Sequence, residues 1–252
     1  LASNSNGLIW VGFENDGVVK FEEKKYRWDL LSALPKKTPF YLYADSDNLW
    51  IGYRGHGIGQ LKVQSGIYHE YPFPHISATN ESVNYQLFAI GEKSNDELWA
   101  ALVPLGLIRY NKLTHQASAI SNDSLGVHSN TLKITTIKKV GDWLWLGTFG
   151  EGLIAWNEKM DTVVRYNEFS GLPSTRVSYL LVDRRGQLWV GLDGGLARFD
   201  LNTRRFEVFT QKDGLPNNMV SSMAEDKAGN LWLGTNNGLC RFTPPMGKSK
   251  AR

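Results

Sequence analysis

Glu225-Asp226-Lys227-Ala228-Gly229-Asn230-Leu231-Trp232-Leu233-Gly234-Thr235-Asn236-Asn237-Gly238-Leu239 is the stretch on which the fold turns. It holds a Leu-Trp pair, a glycine two residues after the tryptophan, and a second glycine followed by an aliphatic residue. The same order recurs upstream. The anchors are Trp10, Trp50, Trp99, Trp145, Trp189 and Trp232, spaced 40, 49, 46, 44 and 43 residues apart. Each follows Leu or Ile: Ile9, Leu49, Leu98, Leu144, Leu188 and Leu231. Two residues beyond each anchor come Gly12, Gly52, Ala101, Gly147, Gly191 and Gly234. The second glycine is Gly17, Gly57, Gly106, Gly152, Gly195 or Gly238, and four residues after it stand Phe21, Leu61, Tyr110, Trp156, Phe199 and Phe242. A period of forty-odd residues kept in register six times is an internal repeat.

Each copy reads as four short strands. The clearest, the fifth, predicts strands over Val177–Val182, Leu188–Leu192, Leu196–Phe199 and Phe206–Phe209, punctuated by Gly186, Gly194-Gly195 and Asn202. Turns need residues that tolerate positive φ. The Leu-Trp-Val-Gly strand is apolar on both faces of its pleat, whereas a sheet with one wet face alternates. Burial on both faces is what a radial stack of sheets requires, with tryptophan filling the gap between neighbours. Helical repeats of this period need two amphipathic helices per unit, and the frequent glycines forbid them. The expectation is an all-β propeller of four-stranded antiparallel blades with six blades represented. The first and last are incomplete: Ser3–Gly7 reads as the end of an inner strand, and the last copy stops after its third strand, at Phe242. A parent ring of seven or eight blades stays open. The propeller is expected over 1–243, followed by a flexible tail over 244–252.

Composition narrows the function classes. The chain has 252 residues, enough for a large core. Its 28 basic and 25 acidic residues are scattered, with net charge +3, and no basic stripe of the kind that binds nucleic acid. The single Cys240 rules out an internal disulfide. No apolar run reaches the ~18 residues of a membrane helix. The start, Leu1-Ala2-Ser3-Asn4, reads as a point within a longer chain.

The segments Val182-Asp183-Arg184-Arg185-Gly186-Gln187-Leu188-Trp189-Val190-Gly191 and 225–239 resemble the two-component-regulator propeller repeat. So do the linkers Ser170-Gly171-Leu172-Pro173-Ser174 and Asp213-Gly214-Leu215-Pro216-Asn217-Asn218. The likeness is sharpest in blades four to six. Blades one to three lack the Gly-Leu-Pro linker and keep echoes such as Leu34-Pro35. The resemblance implies the periplasmic sensor part of a bacterial histidine kinase, hybrid two-component system or diguanylate cyclase. It implies a membrane helix outside this chain, an adjoining propeller or β-sandwich of the same receptor, and a dimeric parent.

Chemistry-bearing motifs are sparse. His56, His69, His75, His115 and His128 share no metal-ligand spacing, so no metal or other cofactor is expected. No phosphate loop or nucleophile elbow is present. Asn80-Glu81-Ser82 and Asn122-Asp123-Ser124 match glycosylation acceptors, which a bacterial source makes incidental. The expected ligand site is the rim formed by hairpins between second and third strands: Tyr53, Arg54, His56, Phe149, Glu151, Asp193 and Asn236. Tyr53, Arg54 and His56 mix an aromatic ring with cations, suiting a sugar or a carboxylate; the plainer reading of all seven is turn chemistry. Trp28, Tyr68, Tyr71 and Tyr166 read as covers of outer strands. The function expected is non-catalytic binding of a small-molecule or oligosaccharide signal. A protein-interaction scaffold and a polysaccharide lyase or glycosidase, with His56 beside Arg54 as base and clamp, are the competing readings.

Overall fold

The computed structural model describes residues 1–4, 7–53, 57–73, 85–128 and 132–245. The fold is an all-β propeller of six antiparallel sheets, five with four strands and the last with three. The chain divides into two compact units, Leu1–Ile120 and Ser121–Arg252. The first unit holds three blades: Ala2–Ser3, Leu8–Phe13, Gly17–Glu22 and Arg27–Leu30; Pro39–Ala44, Asn48–Tyr53, Ile58–Lys62 and Tyr68–Tyr71; Gln86–Glu92, Glu97–Val103, Gly106–Asn111 and Ala117–Ala119. The second holds Ile134–Val140, Trp143–Thr148, Leu153–Asn157 and Thr162–Tyr166; Val177–Val182, Leu188–Leu192, Gly195–Asp200 and Arg205–Phe209; Val220–Glu225, Leu231–Thr235 and Gly238–Phe242. Every blade is a meander, each strand pairing with the next in sequence.

The double-sided apolar strands are buried as their pattern requires: all five residues of Leu188–Leu192 are buried. Within each unit the first strand of a later blade packs on the first two strands of the blade before it. That approach explains the glycine after Trp10, Trp50, Trp145 and Trp189. A Cβ at Gly52 would stand 2.5 Å from Leu87, at Gly147 2.6 Å from Val177, and at Gly191 2.8 Å from the Val220 carbonyl. The anchors Trp10, Trp50, Trp99, Trp145 and Trp189 are at most 3 % exposed. The sixth departs from the expected burial: Trp232 is 38 % exposed and Leu239, on the next strand, 69 %. Among the described residues no further sheet of the second unit covers that side of the sixth blade.

Two details differ from the sequence reading. The inner strand of the first blade is Ala2–Ser3 rather than Ser3–Gly7, because Gly7 at φ +76° and the Asn4 side chain, accepting from the Leu8 amide at 3.2 Å, already form the turn. The second concerns the linkers. Glu168–Ser170 and Gln211–Asp213 form single 3₁₀ turns closed by left-handed Gly171 and Gly214. The following Leu172 and Leu215 amides bond back to the Asn167 and Thr210 carbonyls at 3.1 and 3.2 Å. Asp123–Leu125, Gly126 and Val127 make the same turn, with Val127 bonded to the Asn122 carbonyl at 2.9 Å. The third blade therefore has this linker too, with Val127 buried where the others bury leucine.

Of the C-terminal segment, 244–245 are described and the remainder of the expected tail lies outside the described residues.

Candidate functional site

A recurring clamp builds the end of the blades opposite the predicted rim. In the fifth blade one Asp183 oxygen accepts from the Arg185 and Gln187 amides at 3.0 and 2.9 Å, tightening the turn between first and second strands. The other accepts the Trp189 indole N–H at 2.9 Å. Asp226 does the same for Ala228, Asn230 and Trp232, and Asp45 for Asp47, Asn48 and Trp50. These bonds hold Asp226 down to about 2, led by those from Asn230. At Asp45, burial works to raise the carboxyl, but the bonds from Trp50, Asp47 and Asn48 outweigh it and the net direction is down.

The six anchors are therefore not equivalent, as the bare repeat suggests. In the first blade Asn4 takes the aspartate's place, six residues before Trp10. An amide has one acceptor oxygen, and that of Asn4 is used on the Leu8 amide. The Trp10 indole N–H, buried, has no partner among the described residues. The fourth blade turns through Gly141-Asp142 alone, against five residues in the fifth blade, and Lys139 and Val140 stand where a clamping aspartate would, so no carboxylate reaches Trp145. Its indole N–H likewise has no partner among the described residues. Trp10 and Trp145 anchor their blades by packing, without the clamp.

A second regularity lies across the strand. Residues directly opposite in an antiparallel pair share a face. The residues opposite the six anchors are Lys20, Gln60, Arg109, Ala155, Arg198 and Arg241. Arg109 lies over Trp99 at 5.6 Å and Arg198 over Trp189 at 5.7 Å, both cation–π contacts. Blades two and four lack the cation, and each has a cavity at that place. Beside Ala155 it is about 70 Å³, walled by Trp143, Trp145, Tyr166 and Phe199. Beside Gln60 it is about 1000 Å³ and polar.

The larger cavity lies wholly in the first unit. Inner strands bring Tyr43 and Glu92, and the turn after Tyr43 brings Asp45; third strands and the turns after them bring Lys62, Lys112 and His115. Lys112 pairs with Asp45 at 3.2 Å, the two side chains being 11 % and 13 % exposed. Gln60 is buried and donates to Asn48 at 2.8 Å. His115 occupies the left-handed turn position, φ 58°, which sets its ring flat on Tyr71 with centroids 3.5 Å apart. Its Nδ1 is 3.0 Å from the Tyr110 hydroxyl. Burial, helped by His69, keeps its pKa below the ordinary value. Burial, then the charges of Glu92 and Asp45, push the Tyr43 hydroxyl well up. Donors and acceptors thus face a space of ligand size, which for small-molecule sites runs from about 300 to 1,000 Å³.

None of the five described residues expected at the rim, Tyr53, Phe149, Glu151, Asp193 and Asn236, lines this cavity. Tyr53 is buried, 1 % exposed, beneath Lys37 and packed into the core of the first two blades. Arg54 and His56 lie outside the described residues. In the second unit Phe149 and Asp193 are brought together by Arg176, a residue the sequence did not single out. Its guanidinium lies 4.6 Å from the Phe149 ring centre and 3.6 Å from Asp193. Lys133 approaches the same ring at 4.8 Å. Glu151 pairs with Arg165, which also donates to the Gly126 carbonyl at 2.7 Å. Asn236 stands apart, its amide 2.9 Å from the Met219 sulfur. The signal for Arg176 was its place three residues after the Gly171-Leu172-Pro173 linker, which bends it back over two hairpins. The cavity residues carried no local signal, except that Gln60 breaks a column of cations.

Among the described residues no cluster of His, Cys, Asp and Glu could hold a metal ion, and no helix is long and apolar enough to cross a membrane. No curated protein matches the chain. Among solved structures, the extracellular domain of a putative hybrid two-component system of B. thetaiotaomicron is similar at TM-score 0.72 and 18 % identity, covering 93 % of this chain and 32 % of that one. PorZ of Porphyromonas gingivalis, a surface component of the type-IX secretion system, is similar at TM-score 0.72 and 16 % identity, covering 96 % and 38 %. The WD40 β-propeller domain of Doa1 gives TM-score 0.71 and 13 % identity, covering 95 % and 77 %. At such identities these likenesses show the propeller fold, and the chain spans about a third of the Bacteroides ectodomain. The family match is local: residues 171–194 and 214–237 match the two component regulator propeller family. Each segment runs from the glycine of a linker, through the inner strand and the aspartate clamp, to the hairpin after the Leu-Trp strand. The likeness to that family is thus carried by the linkers and the first two strands of blades five and six.

Proposed function

We propose that this propeller is a non-catalytic, extracytoplasmic signal-input module of a bacterial two-component or cyclic-di-GMP receptor, binding a small ligand such as an oligosaccharide. The observation that carries the reading is the pair of consecutive regulator-propeller repeats at 171–194 and 214–237. The likeness to extracellular domains of putative two-component systems supports a periplasmic placement. In this reading a membrane helix outside these residues relays the signal. An adjoining propeller or β-sandwich flanks the chain, and the parent receptor is a dimer.

The test is transcript profiling of the native bacterium on single polysaccharides. The intact gene is compared with one lacking codons 1–252 in frame, with receptor abundance followed by immunoblot. The expected result is loss of one carbon-source-specific response at unchanged abundance. A full set of retained responses refutes the reading, and so does digestion-resistance of the segment in spheroplasts treated with external protease.

A further inference from the structure

We propose that the cavity of the first unit, at the end of the blades opposite the hairpin rim, binds a short zwitterionic peptide, its ammonium towards Glu92 and Tyr43 and its carboxylate towards Lys62. The sensor reading gives this site its biological sense, but the binding itself is independent of that reading.

The cavity is a departure from the repeat rather than a void inherent in it. Four blades place a lysine or arginine opposite the anchor tryptophan; the second places Gln60, and the space beside Trp50 opens to about 1000 Å³. A blade stack built for stability alone closes such a gap with apolar side chains, as it nearly does beside Ala155. Here the walls stay polar.

The topology sorts the charges. Glu92 ends an inner strand, next to Tyr43 on the neighbouring inner strand; Lys62 ends a third strand, further out along the blade. The Asp45–Lys112 pair between them neutralises itself. Glu92 and Lys62 are exposed, line the cavity, and have no ion-pair partner among the described residues. Burial first, and then the charge of Glu92, raises the Tyr43 hydroxyl, which stands as a donor beside that carboxylate at the inner wall. An ammonium is favoured there and an anion is repelled. Lys62 offers the opposite charge at the outer wall, where the Asp47 carboxylate also lines the cavity, the Asp47 carbonyl accepting from the Val63 amide at 2.8 Å. The Gln60 carbonyl and the Asn95 amide, which also line the cavity, suit peptide groups. An uncharged polyol makes no use of separated charges.

The experiment is a titration of the ¹⁵N-labelled chain with triglycine, followed at the Trp50 indole N–H, which bonds to Asp45 beside Lys112. N-acetyltriglycine, triglycine amide and maltotriose are the comparison probes. Triglycine is expected to shift that resonance saturably. Blocking either end, Glu92→Gln, or Lys62→Gln each weakens binding at least tenfold. Gln60→Arg, which restores the repeat's cation, abolishes binding while the other indole resonances keep their positions. Absence of a saturable triglycine shift overturns the proposal, as does undiminished binding of the blocked peptides. Saturable binding of maltotriose alone also overturns it, while leaving the oligosaccharide-sensor reading intact.

Discussion

Asp183→Ala is the sharpest test of the clamp that organises the blades. Asp183 is 8 % exposed and accepts three hydrogen bonds, from the Trp189 indole at 2.9 Å and from the Arg185 and Gln187 amides at 3.0 and 2.9 Å. Trp189 is wholly buried, so its orphaned N–H cannot reach water, at a cost of about 1–3 kcal/mol. The two turn amides lie nearer the surface and can turn to solvent, losing about 0.5–1.5 kcal/mol each. The sum is a loss of about 2–6 kcal/mol. Asp226→Ala removes the equivalent bonds, but its tryptophan is 38 % exposed and the freed indole meets water. The smaller loss is expected there. Urea unfolding followed by tryptophan fluorescence measures both, provided the slope of the second unit's transition is unchanged. If Asp183→Ala shifts the midpoint no more than Asp226→Ala does, burial of the indole is not what gives the clamp its strength.

Gly152→Ala is expected to destabilise the second unit by well over 1 kcal/mol, because its φ is +77° and the new Cβ would meet the Tyr166 carbonyl at 2.2 Å. Gly171→Ala, at φ +88° with open space around it, is expected to lose only about 1–2 kcal/mol; equal losses in thermal unfolding would contradict the packing account. The Asp226 carboxyl is held down to about 2, below its unfolded value of about 3.9, so its contribution is complete above pH 4 and is lost as pH falls through 2. Asp226→Asn should flatten that part of the stability–pH curve, and an unchanged slope refutes the assignment. Arg176→Ala is expected to change stability by less than about 1 kcal/mol, since the Arg176–Asp193 pair is largely exposed, yet to speed hydrogen exchange at the Phe149 and Gly150 amides. Unaltered exchange would show that Arg176 does not hold the hairpin.

The blades were legible because each strand announces itself locally. Leu188-Trp189-Val190-Gly191-Leu192 can be buried on both faces only between sheets, and the glycine spacing supplies the hairpins. The third blade's linker was not legible, because Leu125-Gly126-Val127 lacks the proline that marks Gly171-Leu172-Pro173, although a left-handed glycine and one buried aliphatic residue suffice for the turn. The cavity was hidden for a different reason. Gln60 faces Trp50 through cross-strand register, and Lys112 reaches Asp45 across 67 residues of sequence. Neither relation leaves a mark within a window of ten residues. Tyr71 was read as an outer-strand cover, which is its position in the sheet; its second role, carrying His115, depends on a turn in the next blade.

What separates architecture from function in this chain is the difference between two breaks of one rule. Gln60 and Ala155 both withdraw the cation that sits opposite the anchor tryptophan elsewhere. Beside Ala155 the chain compensates: Trp145, Tyr166 and Phe199 close in at 4.9–5.9 Å between ring centres, and about 70 Å³ is left. Beside Gln60 it does the reverse. The corresponding place of Phe199 is taken by Tyr110 and that of Leu201 by Lys112, each bringing a polar atom to the neighbourhood of the gap, and His115 stands in the place of Arg204. Polar groups held together in a half-buried cleft cost desolvation that apolar filling avoids. Selection for stability favours the first solution, and the first unit keeps the second. In a repeat whose glycines, aspartates and tryptophans are spent on turns, clamps and packing, the place where the chain forgoes that easier packing is where binding is to be sought.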